Sequence, residues 1–199
     1  NPVRSPWTAI PNLDSILDAN GMTTSFGYDS FGRQTSVTYP EGNKIQRVLD
    51  ANGNATEVRT VAKPGSGLAD LVATFNFPTC DDTNFRYCNK PSFSIDGRGN
   101  RTDFSYYPEN GLLQTVLGPA DPAGLRPSTT YEYQPFTGVD GAVFYRLLKK
   151  TEKTDSASNR ITNFVYNVSN HWAPLAEEVV NGTQTLRTCM SYNSLGQKV

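Results

Sequence analysis

The chain has 199 residues, 37% of them hydrophobic and 19% charged, with a formal net charge of −1. That length suffices for one substantial domain, while both fractions lie below usual globular values. Near-neutrality gives no electrostatic reason for a nucleic-acid partner, and no apolar run reaches the roughly 18 residues that a membrane span needs.

The polar, Pro-rich opening "NPVRSPWTAIPNLDS" is no signal peptide. The lack of an initial Met suggests a fragment of a longer protein. From residue 14 a regular pattern begins. "DANG" at 18–21, "DSFG" at 29–32 and "DANG" at 50–53 each place Asp first and Gly fourth. A type I turn favours this order: the Asp18, Asp29 or Asp50 carboxylate accepts a backbone N–H within the turn. Gly21, Gly32 or Gly53 supplies the positive φ that returns the chain to a strand. Between the first two turns runs "GMTTSFGYD", with Thr24, Phe26 and Tyr28 at steps of two on one face of an extended strand. The unit predicted is a β-hairpin, with a period of about 21 residues between Gly21 and Gly42.

An irregular insertion follows at 62–91. It opens on a flexible "KPGSG", offers a strand in "LVATFNF", and ends in "PTCDDTNFRYCNKP". Cys80 and Cys88 are compatible with a loop-clipping disulfide, two free thiols or half of a metal site. Their spacing matches no usual zinc pattern, and the only histidine, His171, is remote.

The repeat returns with "DGRG" at 96–99 (Asp96, Gly99) and "GNRTDFSYY", where Thr102, Phe104 and Tyr106 match the first copy. "GPADPAGLRPST" (118–129) reads as a surface excursion. "AVFYRLLKKTEKTD" (142–155) is predicted as a long strand, because its flanks are strand-like. "NRITNFVYN" brings Thr162, Phe164 and Tyr166, and the last turn, "NSLG", uses Asn193 and Gly196 after Tyr192. Cys189, on an apparent strand, is expected to be a small buried side chain. The repeated Phe and Tyr are expected to pair across strands, at about 0.2–1 kcal/mol each.

Chemical motifs are weak. "DANGNATE" fails as a calcium loop, since the sixth and twelfth places hold Ala55 and Val61. No Gly-x-Ser-x-Gly elbow accompanies His171 in "SNHWAP", and no glycines follow a phosphate-loop or dinucleotide pattern. The expectation is a non-enzymatic chain with no catalytic residue, metal or cofactor. Asn54, Asn167 and Asn181 begin Asn-x-Ser/Thr sequons, which matter only where secreted proteins are glycosylated.

"YDSFGR", with "DANGMTTSFG" before it and "TSVTYPEGNK" after it, resembles an RHS repeat, also called a YD repeat. The resemblance covers residues 14–60, 92–117 and 128–199 and is most specific at 18–43. Such repeats occur in bacterial RHS polymorphic toxins, toxin-complex subunits and teneurins, where hairpins join edge to edge into a spiralling sheet around a cavity. It implies an all-β fold of consecutive antiparallel hairpins in a curved, partial β-shell, with residues 1–199 a single segment of it. It also implies a secreted or cell-surface protein whose partners are further RHS repeats and a C-terminal toxin or effector domain of the same protein. Glycans or a cell-surface protein are the alternative partners. About nine hairpin-sized units are too few to close a large cavity, so bare edges covered by irregular segments or by self-association are expected.

Overall fold

The computed structural model describes residues 12–138, 140–154, 159–167, 173–195 and 197–199. Among them every regular element is a strand. Two compact units emerge, one of residues 1–77 with 95–99, the other of 78–94 with 100–199.

The first unit contains β1 (Ser15–Leu17), β2 (Thr23–Tyr28), β3 (Gln34–Thr38), β4 (Lys44–Leu49), β5 (Ala55–Val61) and β6 (Leu71–Asn76). Each strand pairs antiparallel with its sequence neighbours. β7 (Phe93–Ile95) is divided between the units. The second contains β8 (Arg101–Tyr106), β9 (Leu113–Leu117), β10 (Ser128–Thr137), β11 (Val143–Lys153), β12 (Asn159–Tyr166), β13 (Pro174–Asn181) and β14 (Gln184–Cys189), again paired antiparallel in chain order. The fold class is all-β, antiparallel and open. Short reversals between most strands, which run from three to eleven residues, leave each strand little choice but its neighbour.

The segment 142–155 is extended, as β11, and the "LVATFNF" strand is β6. Burial is shallow. Among the described residues, Val37 is the buried side chain of the first unit, and Thr162, Ala176 and Cys88 are those of the second. Cohesion rests mainly on ladder hydrogen bonds and on half-buried pairs across neighbouring strands, not on a deep core.

One irregularity recurs. In β2–β3 the register slips between Gly27 and Tyr28, leaving Thr35 without an opposite residue. The same slip leaves Thr56 extra in β4–β5, Gln114 in β8–β9, Leu148 in β10–β11 and Leu175 in β12–β13. Each is a β-bulge on the returning strand, which bends that strand and raises its local twist. The pairs β1–β2, β3–β4, β9–β10, β11–β12 and β13–β14 run in unbroken register. Within each unit bulged and regular hairpins therefore alternate, a two-hairpin unit written in backbone geometry.

Cys189 is exposed, contrary to the buried position expected from its strand. All six residues of β14 are exposed, because among the described residues the strand has β13 on one side only and nothing lies over its faces.

Candidate functional site

The repeated corner is built from Asp, Gly and Tyr. The Asp18, Asp29, Asp50, Asp96 and Asn193 side chains all use one oxygen, Oδ1. It accepts the N–H of the residue two places on: Asn20, Phe31, Asn52, Arg98 and Leu195, at 2.8–3.0 Å. For Asp18, Asp29, Asp50 and Asn193 the same oxygen also takes the N–H four places on, from Met22, Arg33, Asn54 and Gln197. Gly21, Gly32, Gly53 and Gly99 close their turns by donating to the first residue's carbonyl, with φ between 76° and 89°. Gly196 lies outside the described residues.

The turn at 121–124 has identical geometry. Asp121 accepts the N–H of Ala123 and of Leu125, and Gly124 sits at φ 84°. The surface excursion therefore contains a further copy of the corner, which a Pro at its second position disguises.

A tyrosine latch finishes three of the five bulged hairpins and the Asn193 corner. Tyr28 Oη donates to Leu13 O at 2.9 Å, Tyr106 Oη to Pro91 O at 3.0 Å, Tyr166 Oη to Leu147 O at 2.9 Å and Tyr192 Oη to Pro174 O at 3.0 Å. In each case the hydroxyl reaches a carbonyl 15–19 residues upstream. For Tyr28, Tyr106 and Tyr166 this happens where the ladder slips, so the latch satisfies a carbonyl close to the strand ends. Loss of the hydroxyl in Tyr166→Phe is expected to cost about 1 kcal/mol, read as a lower urea midpoint. The partly buried Leu147 carbonyl makes this latch more costly to break than the exposed Tyr28 one.

The motif phenylalanines face non-aromatic partners. Phe26, Phe104 and Phe164 lie opposite Val37, Val116 and Glu177. Thr24 and Thr102 are half-buried beside them, and Thr162 is buried. Ring-to-ring contacts arise elsewhere, with Tyr106 stacked on Tyr87 and Tyr166 edge-on to Phe136.

Successive corners are tied together. Arg33 Nε pairs with Asp29 at 2.7 Å, and its Nη1 reaches the Asp50 carbonyl of the next such turn at 3.1 Å. In the second unit, Arg126 donates to Asp103 and to the carbonyls of Gly118, Leu117 and Arg101, fastening the excursion to β8.

Cys80 and Cys88 form a disulfide, with Cα atoms 5.1 Å apart. The clipped loop rests on the Tyr106 corner. Tyr87 stacks on Tyr106 at 5.8 Å, Lys90 Nζ lies 5.5 Å from that ring's centre, and it donates to Gly111 O at 2.6 Å. Among the described residues no group of three or more His, Cys, Asp or Glu is placed to hold a metal ion, and no helix is long and apolar enough to cross a membrane. His171 and Trp172 lie outside the described residues.

Ionisation follows the same geometry. Burial alone would raise the Asp29 and Asp50 carboxyls. Hydrogen bonds outweigh it, from Arg33 and Phe31 in the first case and from Asn54, Asn52 and Gly53 in the second, so both titrate below the usual range. Asp103 is lowered chiefly by its bond from Arg101, and Asp81 by that from the Thr83 hydroxyl. In the unfolded chain these groups titrate near about 3.9 and so bind protons first as pH falls. Their contribution is intact above about pH 4 and is lost as pH drops through the folded values. The urea midpoint is thus expected to hold between about pH 5 and 7 and to decline below about 4. A midpoint that rises on acidification would contradict this.

A family model for the RHS repeat matches residues 12–44, which span the Tyr28 corner with its flanking hairpins. Residues 12–44 carry an RHS repeat. Among solved structures, TcdB2-TccC3 superposes with a TM-score of 0.49 at 14% identity, over 86% of this chain and 10% of that one. Its form without the hypervariable C-terminal region gives 0.48 and 14%, over 89% and 10%. The chain therefore spans about a tenth of the length of those structures. No curated protein sequence matches it. The RHS motif residues that sequence reading identified are the turn residues and the latch tyrosines. What it missed were the latch acceptors and the alternating bulges, while "ADPAGL" (120–125), which reads as a plain turn, is a further copy of the corner.

Proposed function

We propose that this RHS segment is non-enzymatic and forms part of the wall of a shell that encloses a toxin or effector domain of the same secreted protein. The observation that supports the reading is the alternation, within each unit, of bulged hairpins, three of them latched by a tyrosine, with regular ones. It is a rule for adding wall indefinitely. A wall made this way works by exclusion. Hydrogen-bonded strands leave no gap for a protease loop, and the cargo stays inactive until the strands part.

The reading has a direct test. In the full-length protein, limited proteolysis should spare the C-terminal domain while the repeats are folded, and digest it once denaturant melts them. Equal digestion of that domain with and without folded repeats would rule out containment. Saturable glycan binding on an array, with no such protection, would favour a cell-surface binding module instead.

A further inference from the structure

The second unit carries an open groove of about 480 Å³ that the repeat corner does not explain, lined by Tyr107, Tyr133, Tyr145, Pro135, Glu109 and Glu132. Its aromatic walls are held in place before any ligand arrives. Tyr107 Oη is committed to the Tyr131 carbonyl at 2.9 Å, and the Tyr107 and Tyr133 rings meet at 6.0 Å with an interplanar angle of 87°. Tyr145 stands opposite Pro135 across the β10–β11 ladder. We propose that this groove binds a cationic side chain, arginine or lysine, presented by a polypeptide.

Three features select that chemistry. Ring faces attract cations when the charge comes within about 6 Å of the centroid, and fixed rings lose little freedom on binding. The groove is also acidic: Glu132 is matched by Lys149 at 2.9 Å, whereas Glu109 is exposed and makes no ion pair among the described residues. One carboxylate beside the tyrosines thus lacks a counter-charge. Finally, rings at 87° form a corner and offer no flat two-ring platform for a sugar, while a cation needs only one ring face. Arginine fits best, because its planar guanidinium stacks on one ring and offers paired N–H donors to a carboxylate. This inference stands apart from containment, since it concerns a surface of the second unit whatever the shell encloses.

The test uses the 199-residue chain, labelled with 3-fluorotyrosine, titrated with acetyl-arginine amide and, in parallel, with a neutral trisaccharide. The expected result is a saturable shift of the Tyr107, Tyr133 and Tyr145 resonances by the cation alone, weakened by added salt. Glu109→Gln, a surface change that should leave the fold intact, is expected to weaken binding about threefold. Tyr133→Leu should weaken it about fivefold or more. Shifts produced by the trisaccharide and not by the arginine derivative would overturn the proposal. So would unchanged affinity in Glu109→Gln, or no shift at all with the folded chain.

Discussion

Gly111→Ala is expected to destabilise the chain by about 2–4 kcal/mol, combining the cost of a left-handed backbone with that of a forced displacement. Gly111 is buried with φ at 71°, and a Cβ there would lie 2.5 Å from the Arg86 carbonyl oxygen and 3.0 Å from Arg86 Cβ. The obstruction is backbone, which cannot swing aside as a side-chain tip would. Moving Arg86 would also disturb Lys90, whose ammonium donates to the Gly111 carbonyl at 2.6 Å, and Tyr87, which stacks on Tyr106. Gly124 supplies the control. Its φ is 84°, but a Cβ there meets nothing within 4 Å, so Gly124→Ala carries the backbone cost alone, about 1 kcal/mol. Urea denaturation of the two variants separates the effects. Equal midpoints would mean that the clipped loop does not press on Gly111.

Reducing the Cys80–Cys88 bond is expected to cost about 2–3 kcal/mol, as loop closure over so short a separation predicts. The loop it closes is mostly exposed, but Cys88 itself is buried and the neighbouring Tyr87 and Lys90 brace the Tyr106 corner. Reductant should therefore lower the melting temperature and raise amide exchange in 78–91 and in 107–112 together. Thiol titration gives an internal check: one reactive thiol, Cys189, before reduction and three after reduction in denaturant. Exchange that rises in 78–91 alone would show that the brace carries no load.

These two effects also mark where the sequence was legible. The Asp-x-x-Gly corners could be read because their chemistry is local: a carboxylate reaching N–H groups two and four residues on, and a glycine at positive φ. All-β architecture followed from Thr24, Phe26 and Tyr28 at steps of two and from the same phrase at 102–106 and 162–166. The hydroxyl acceptors Leu13, Pro91, Leu147 and Pro174 could not be read, because each depends on the register of a strand 15–19 residues away. Nor could the bulges at Thr35, Thr56, Gln114, Leu148 and Leu175, whose residue types share nothing that marks an extra position. Cys189 was misplaced for a related reason. A strand's apolar content does not say whether anything covers it. The acid–aromatic groove joins residues from 107–109, 132–135 and 145, segments that only the fold brings together.

Pairing in strict chain order within each unit has a kinetic corollary. Every ladder closes over a short stretch of chain, so contact order stays low and zippering needs no distant segment to arrive first. Such a chain can fold as it emerges from a ribosome, each new hairpin docking on the last. Threading through a narrow passage would then cost it little, because what is undone strand by strand can be rebuilt in the same order on the far side.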